Sequence, residues 1–138
     1  MQQNPGDAEG EALEGARILL VEDEARLRTV VTMMLEELGA EVVAVANGES
    51  AISEFSEATS AFDIVLLDVK LSGQSGMKVF DELVAIDLGV RVVFTSGIEP
   101  DRDVQRRIDD GCGGFIEKPY TIDQLSRVLT GVLGTSSG

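Results

Sequence analysis

Short apolar runs alternate with amphipathic stretches along most of the chain. The runs are rich in Ile, Leu and Val, and they cover residues 17–21, 42–45, 63–67, 91–94 and 115–117. Each run has the length of a strand and predicts one. The stretches that follow have apolar residues at helical spacing and predict helices over 25–38, 49–57, 77–86, 101–110 and from 121 onwards. Thr121 and Gln124 complete a capping box for the last helix.

This alternation indicates an α/β domain with a parallel sheet between two layers of helices. Because crossover connections are right-handed, few strand orders remain, and 2-1-3-4-5 is the common one for five such units. The predicted fold is therefore a flavodoxin-like (βα)5 three-layer sandwich over residues 16–134. Residues 1–15 are acidic, contain no basic residue and predict a disordered tail. Residues 135–138 predict a frayed end or the start of a linker.

The composition excludes several kinds of partner and site. The 138 residues include 11 basic and 25 acidic ones, a formal net charge of −14. Such a surface repels nucleic acid and anionic membranes, so we expect neither as a direct partner. The chain has no His and one cysteine, Cys112, which excludes an intramolecular disulfide, a His-based triad and a His-ligated metal. No apolar run approaches the ~20 residues that span a bilayer and no signal peptide is recognisable, so we expect a cytoplasmic protein.

Acidic, hydroxyl and basic residues follow four of the five predicted strands. Glu22 and Asp23 follow the first strand, Asp68 the third, Ser96 the fourth and Lys118 the fifth. Ligands of open parallel sheets bind beyond these strand ends, at the point where the strand order reverses. Crowded carboxylates repel one another, and Mg²⁺ with its preference for oxygen ligands would remove the conflict. The set suits an acyl phosphate, with Asp68 attacking phosphorus while Mg²⁺ and Lys118 neutralise the phosphoryl oxygens.

Each of these residues also has an ordinary structural explanation. A single Asp after a strand often caps a helix, and Lys-Pro or Ser-Gly often forms a turn. Their joint occurrence at the ends of the first, third, fourth and fifth strands favours the functional interpretation.

Residues 16–133 resemble the receiver domains of bacterial response regulators and hybrid histidine kinases. The resemblance is carried by these segments: Ile18 to Glu24, Asp63 to Asp68, Gly73, Gly76, Ser96-Gly97, Phe115 and Lys118-Pro119. The run from Phe94 to Gly97 favours the hybrid-kinase group.

The resemblance implies a role for each residue of the metal and acceptor site. Asp68 would accept a phosphoryl group from a phosphohistidine of a histidine kinase or a histidine phosphotransfer protein. Asp23, Asp68 and the backbone carbonyl of Lys70 would bind Mg²⁺ directly, and Glu22 would bind it through water. Lys118 would match the family's invariant lysine.

The resemblance also implies a switch that transmits the signal. Ser96 would turn towards the phosphoryl group, and Phe115 would swing into the space that it leaves. The output surface would be the face of the fourth helix, fifth strand and fifth helix, whose charges also permit a homodimer. Lys118 and Pro119 would be joined by a cis peptide bond.

Several positions depart from the family pattern. Ser72 stands where proline is usual, Ser96 replaces the commoner threonine, and Lys70 puts a cation two residues after the acceptor. Ile98 is apolar where many relatives are polar. We hypothesise that Ile98 restricts water and lengthens the lifetime of the phosphoryl group.

Two other functions fit the sequence less well. A hydrolase or phosphotransferase with an aspartyl-phosphate intermediate needs a second acid soon after the nucleophile, but no carboxylate follows Asp68 until Asp81. A degenerate receiver used only for docking predicts a missing acid, hydroxyl or lysine, and all are present. The chain is therefore predicted to be a signalling module, not an enzyme, that catalyses only its own phosphorylation and dephosphorylation.

Overall fold

The computed structural model describes residues 12–57, 62–71, 73–110 and 113–134. Most of the predicted acidic tail lies outside the described residues, as do the C-terminal segment from 135 to 138, Ser72 and Cys112.

Strands and helices alternate as the hydrophobic pattern predicts, with one added hairpin. In chain order the elements are β1 Arg17–Val21, α1 Ala25–Glu37, β2 Glu41–Val45, α2 Gly48–Glu57, β3 Ile64–Asp68, β4 Lys70–Leu71, β5 Gln74–Ser75, α3 Gly76–Ile86, β6 Val92–Ser96, α4 Arg102–Asp109, β7 Gly113–Glu117 and α5 Ile122–Gly134. The main sheet has the parallel strand order β2-β1-β3-β6-β7. Because β6 and β7 are the predicted fourth and fifth strands, this confirms the order 2-1-3-4-5.

The core has two apolar layers, one on each face of the sheet. On one face, residues such as Leu20, Leu35 and Leu125 pack between the sheet and helices α1 and α5. On the other face, Phe55 and Leu83 belong to the layer under α2, α3 and α4. Strand β3 is buried along its whole length because helices cover both of its faces. Among the described residues, no helix is long and apolar enough to cross a membrane.

The structure corrects the predicted limit of the N-terminal tail. Residues 12–15 form a turn, Leu13 is buried in the core, and its amide donates to the carbonyl of Leu38 at 2.8 Å. The prediction that the disordered tail extends to residue 15 is therefore wrong for residues 12–15. A single leucine among acidic residues has no periodicity, so the sequence pattern could not reveal that it packs.

The hairpin after β3 was also not predicted. Its strands β4 and β5 have two residues each, too few for an alternating pattern, and pair Lys70 with Ser75 and Leu71 with Gln74. Gly73 in the turn has a φ of 75°, which favours glycine. Strand β6 continues to Ser96, past the predicted end at residue 94. The capping box at the start of α5 is confirmed by reciprocal bonds between Thr121 and Gln124.

Candidate functional site

Three acidic residues meet at the carboxyl edge of the sheet. Asp68 is the last residue of β3, and Glu22 and Asp23 follow the adjacent strand β1. One carboxylate oxygen from each lies within 4.8 Å of the others. Asp68 and Glu22 are buried, and Asp23 is partly exposed. The strand order brings together residues far apart in the chain because the ends of parallel strands share one edge.

Lys118 joins two of these acids. Its Nζ donates to Glu22 Oε1 at 3.0 Å and to Asp68 Oδ2 at 2.9 Å. The lysine follows β7, which lies two strands away from β3, and its amide donates to the carbonyl of Ser96 at 2.8 Å. The Lys118–Pro119 peptide bond is cis, the isomer that the family resemblance implies. The cation offsets part of the repulsion between the two buried carboxylates.

These contacts shift the pKa of three groups at the site. Burial raises the pKa of Glu22, with a further contribution from the charge of Asp68, while hydrogen bonds from Lys118 and from the Glu24 amide oppose the rise. Burial alone would lower the pKa of Lys118, but its bonds to Asp68 and Glu22 outweigh burial and raise it. Burial and the charges of both acids raise the pKa of Tyr120. Lys118 is therefore charged and Tyr120 neutral at physiological pH.

Strand β3, which ends in Asp68, runs into a tightly packed turn. The amide of Lys70 donates to Asp68 Oδ1 at 3.1 Å, and the amide of Gly76 donates to the carbonyl of Val69 at 2.7 Å. A β-carbon at Gly76 would collide with the carbonyl oxygen of Asp68 and with the backbone of Val69. Gly76 therefore lets the start of α3 approach the backbone of Asp68, a contact that the sequence indicated only through the family resemblance.

The loop after β1 is held by three contacts. The amide of Glu24 donates to Glu22 Oε2 at 3.1 Å, and the carboxylate of Glu24 caps α1 by accepting from the amide of Leu27 at 3.0 Å. From the first turn of α1, Arg28 Nη1 donates to the backbone carbonyl of Glu22 at 2.8 Å. Sequence reasoning missed Arg28, because a helical arginine six residues after an acid carries no recognisable spacing.

Ser96 and Phe115 line one small cavity. The cavity measures about 50 Å³ and lies under the β6–α4 loop. Ser96 is buried, and its Oγ accepts from the amide of Ile98 at 3.3 Å. Phe115 on β7 is partly buried and packs against the apolar layer under α4. Ile98 itself is 58% exposed at the rim of this cavity.

The acidic residues fit a magnesium ion by their chemistry. Glu22, Asp23 and Asp68 provide carboxylate oxygens only, which are the ligands that Mg²⁺ prefers. Two of the three acids are buried, so their mutual repulsion is poorly screened and a divalent cation would relieve it.

An apolar groove opens beside Lys118. It has a volume of about 270 Å³ and lies between α1 and the segment after β7, where Leu27, Met34 and Tyr120 line it. Val30 in the groove and Met33 on the same helix are exposed. Apolar surface thus borders the site of Lys118 and the three acids.

Comparisons with known proteins match nearly the whole described chain. The family model described as response regulator receiver domain matches residues 18–130. The chain is 34% identical over 116 residues to the sensory transduction protein RegX3 of Mycolicibacterium smegmatis, covering 84% of this chain and 50% of that protein. It is 30% identical over 118 residues to the chemotaxis protein CheY of Bacillus subtilis, covering 85% of this chain and 97% of that protein. The chain thus spans half the length of RegX3 and nearly all of CheY.

A solved structure shares the fold. The crystal structure of a response regulator receiver domain protein from Clostridium thermocellum superimposes with a TM-score of 0.82 at 24% identity, covering 88% of this chain and 97% of that one.

Proposed function

Because this chain belongs to the response regulator receiver domain family, whose members accept a phosphoryl group in two-component signal transduction, we propose that Asp68 is the acceptor. One observation carries the proposal: Asp68 ends the central strand, with Lys118 Nζ 2.9 Å from its Oδ2 and two further acids within 4.8 Å. A buried carboxylate between a fixed cation and a cation-binding acid pair is poised for attack on phosphorus.

In the proposed reaction an oxygen of Asp68 forms a bond to phosphorus as the bond to the donor breaks. The leaving atom takes the electron pair of that bond, and it would be the imidazole nitrogen of a phosphohistidine. Lys118 neutralises charge on the transferred phosphoryl oxygens, since its Nζ already contacts the acceptor carboxylate. The amide of Lys70 orients Asp68 by its bond to Oδ1.

We further propose that Asp23, Asp68 and the backbone carbonyl of Lys70 hold Mg²⁺ directly and that Glu22 acts through water. When bound, the ion supplies positive charge that stabilises the negative phosphoryl group. Glu22 accepts from Lys118 and from the Glu24 amide, and these two bonds fix its carboxylate beside the proposed ion site.

The proposed donor is a histidine kinase or a histidine phosphotransfer protein. The groove beside Lys118 supports this, because the apolar face of a helix could cover Leu27, Val30 and Met34 and bring its phosphohistidine near Asp68.

The proposed switch uses Ser96 and Phe115. Both residues line the same cavity, which supports a coupled motion in which Ser96 turns to the phosphoryl group and Phe115 moves inward. The surface changed by this motion would be the face of α4, β7 and α5, through which the domain would signal or form a homodimer.

Intact mass spectrometry after incubation with acetyl phosphate tests the acceptor. We expect wild type to gain one phosphoryl group in the presence of Mg²⁺ and none when Mg²⁺ is chelated. Asp68→Asn should gain none, whereas Asp123→Asn, at an exposed site in the first turn of α5, should behave as wild type. Labelling of Asp68→Asn equal to that of wild type would rule out Asp68 as the acceptor.

A further inference from the structure

The carbonyl group of Glu22 lies where the parallel sheet ends. Strand β1 pairs with β3 as far as Val21 and Leu67, and the amide of Glu22 still donates to the carbonyl of Val45 at 3.1 Å. The carbonyl of Glu22 accepts instead from Arg28 Nη1 at 2.8 Å, in a partly buried position. A charged side chain of α1 therefore binds the backbone where the acidic loop begins.

The far end of that loop is fixed in another way. The carboxylate of Glu24 caps α1, and the backbone amide of Glu24 donates to the carboxylate of Glu22. Asp23 lies between these two anchors, so its backbone is restrained on the N-terminal side by Arg28 and on the C-terminal side by the helix cap. Geometry at a metal site depends on such supporting contacts as much as on the ligands.

We propose that Arg28 is a positioning residue that holds the loop Glu22–Glu24 in the conformation that binds Mg²⁺. This rests on the proposed function, since it takes Asp23 and Asp68 as ligands of the ion. Arg28 itself would touch neither the ion nor the phosphoryl group.

Two effects of Arg28 on Mg²⁺ binding have opposite signs. The guanidinium is a positive charge close to the acid cluster, so by Coulomb repulsion alone its removal would tighten Mg²⁺ binding. If Arg28 instead holds the loop in place, its removal lets the ligands move and weakens binding. The direction of the change therefore separates a positioning role from a simple charge effect.

Calorimetric titration of Mg²⁺ at fixed ionic strength measures that direction. We expect Arg28→Met, which keeps the aliphatic length but loses the donor, to bind Mg²⁺ about tenfold more weakly than wild type, the loss of one charge-assisted hydrogen bond. Arg28→Lys keeps a charged donor, so its affinity for Mg²⁺ should lie between those of wild type and Arg28→Met. Arg26→Met removes the same charge from an exposed site on the same helix and should bind at least as tightly as wild type. Binding by Arg28→Met as tight as that of wild type would overturn the proposal.

Hydrogen exchange in the metal-free protein provides a second test, independent of Mg²⁺. Amides of residues 22–28 should exchange about tenfold faster in Arg28→Met, with those of β3 unchanged. If Arg28→Met fails to fold, the same comparison is made with Arg28→Lys, where a smaller increase confined to the loop is expected. Unchanged loop exchange would contradict the role of Arg28, whereas a wild type that binds no Mg²⁺ would count against the proposed function instead.

Discussion

Lys118 is the cation that offsets part of the negative charge of the site. Its ammonium contacts both Glu22 and Asp68, and the side chains of these two acids are only 4% and 7% exposed. Carboxylates so deeply buried cannot rely on water to screen their repulsion. In the metal-free protein the lysine takes over part of the role that a divalent cation would have.

Replacing Lys118 by methionine should therefore destabilise the metal-free protein more than the Mg²⁺-loaded one. Loss of the cation leaves two buried carboxylates facing each other, and we expect the free energy of unfolding to fall by about 3 kcal/mol without Mg²⁺. Mg²⁺ should restore most of that loss. Urea denaturation with and without the ion measures both values, with Lys78→Met on the exposed side of α3 as control. An equal loss under both conditions would contradict this account.

The close approach of α3 to Asp68 depends on Gly76. Gly76→Ala puts a β-carbon against the backbone of Asp68 and Val69, which cannot move aside as a flexible side chain would. We expect a loss of about 2 kcal/mol in stability and slower phosphorylation by acetyl phosphate. Gly97→Ala is the matched control, because a β-carbon there meets no atom within 4 Å in the described part of the chain. Equal behaviour of the two variants would show that the approach of α3 is not needed.

Ile98 controls water at the site in our hypothesis. It is 58% exposed beside Ser96, so it can cover the rim of the site without being part of the core. Ile98→Glu should shorten the half-life of phosphorylated Asp68 while leaving stability within about 0.5 kcal/mol of wild type. Decay of the phosphorylated mass after removal of acetyl phosphate measures the half-life, and an unchanged rate would refute the hypothesis.

At the scale of elements, α4 is the helix least anchored by apolar contact. Among its described residues only Val104 is buried. Its main polar anchor is Arg107, whose Nη2 lies 3.0 Å from both carboxylate oxygens of Asp81 on α3. The same guanidinium lies 5.6 Å from the ring centre of Phe80. Arg107 thus connects α4, a helix of the proposed output surface, to α3.

Breaking this anchor should loosen α4 without unfolding the domain. Arg107→Gln and Asp81→Asn should each speed amide exchange in α4 about fivefold, and the double variant should add little, because both remove the same pair. The expected local cost is about 1 kcal/mol, since the Asp81 side chain is 59% exposed and solvent screens it. Arg106→Gln on the exposed face of α4 is the control. An increase for Arg106→Gln equal to that for Arg107→Gln would show that the pair is not the anchor.

For the whole molecule, the net charge of −14 opposes compactness through self-repulsion. Monovalent salt screens this repulsion, so ~0.5 M NaCl should stabilise wild type and Asp68→Asn alike, by about 1 kcal/mol. Mg²⁺ at a hundredfold excess over its Kd should add about 2.7 kcal/mol to wild type at matched ionic strength. It should add much less to Asp68→Asn. Thermal unfolding in NaCl and in MgCl2 separates the two effects, and an equal response to Mg²⁺ would argue against a site at Asp68.

The sequence by itself determined the order of the elements, the strand order and the edge where the site lies. The elements follow from local features, namely the length of apolar runs and helical spacing. The strand order follows from right-handed crossovers and the common topology of five such units, and the edge from the rule that parallel strands end together. Glu22, Asp68 and Lys118 could be singled out for this reason, since each directly follows or ends a strand. The sequence pattern did not predict that Leu13 packs in the core or that β4 and β5 form a hairpin, because single residues and two-residue strands have no periodicity.

Only the tertiary structure decided which atoms touch. Lys118 meets Asp68 and Glu22 across separations of 50 and 96 residues, and Arg107 meets Asp81 across 26. Arg28 is near Glu22 in the chain, yet its bond depends on how α1 packs against the sheet. Periodicity records which face a residue occupies but not the direction of its side chain. The pairing of charges, and with it the electrostatics of the site, therefore arises only when the helices and strands are packed together.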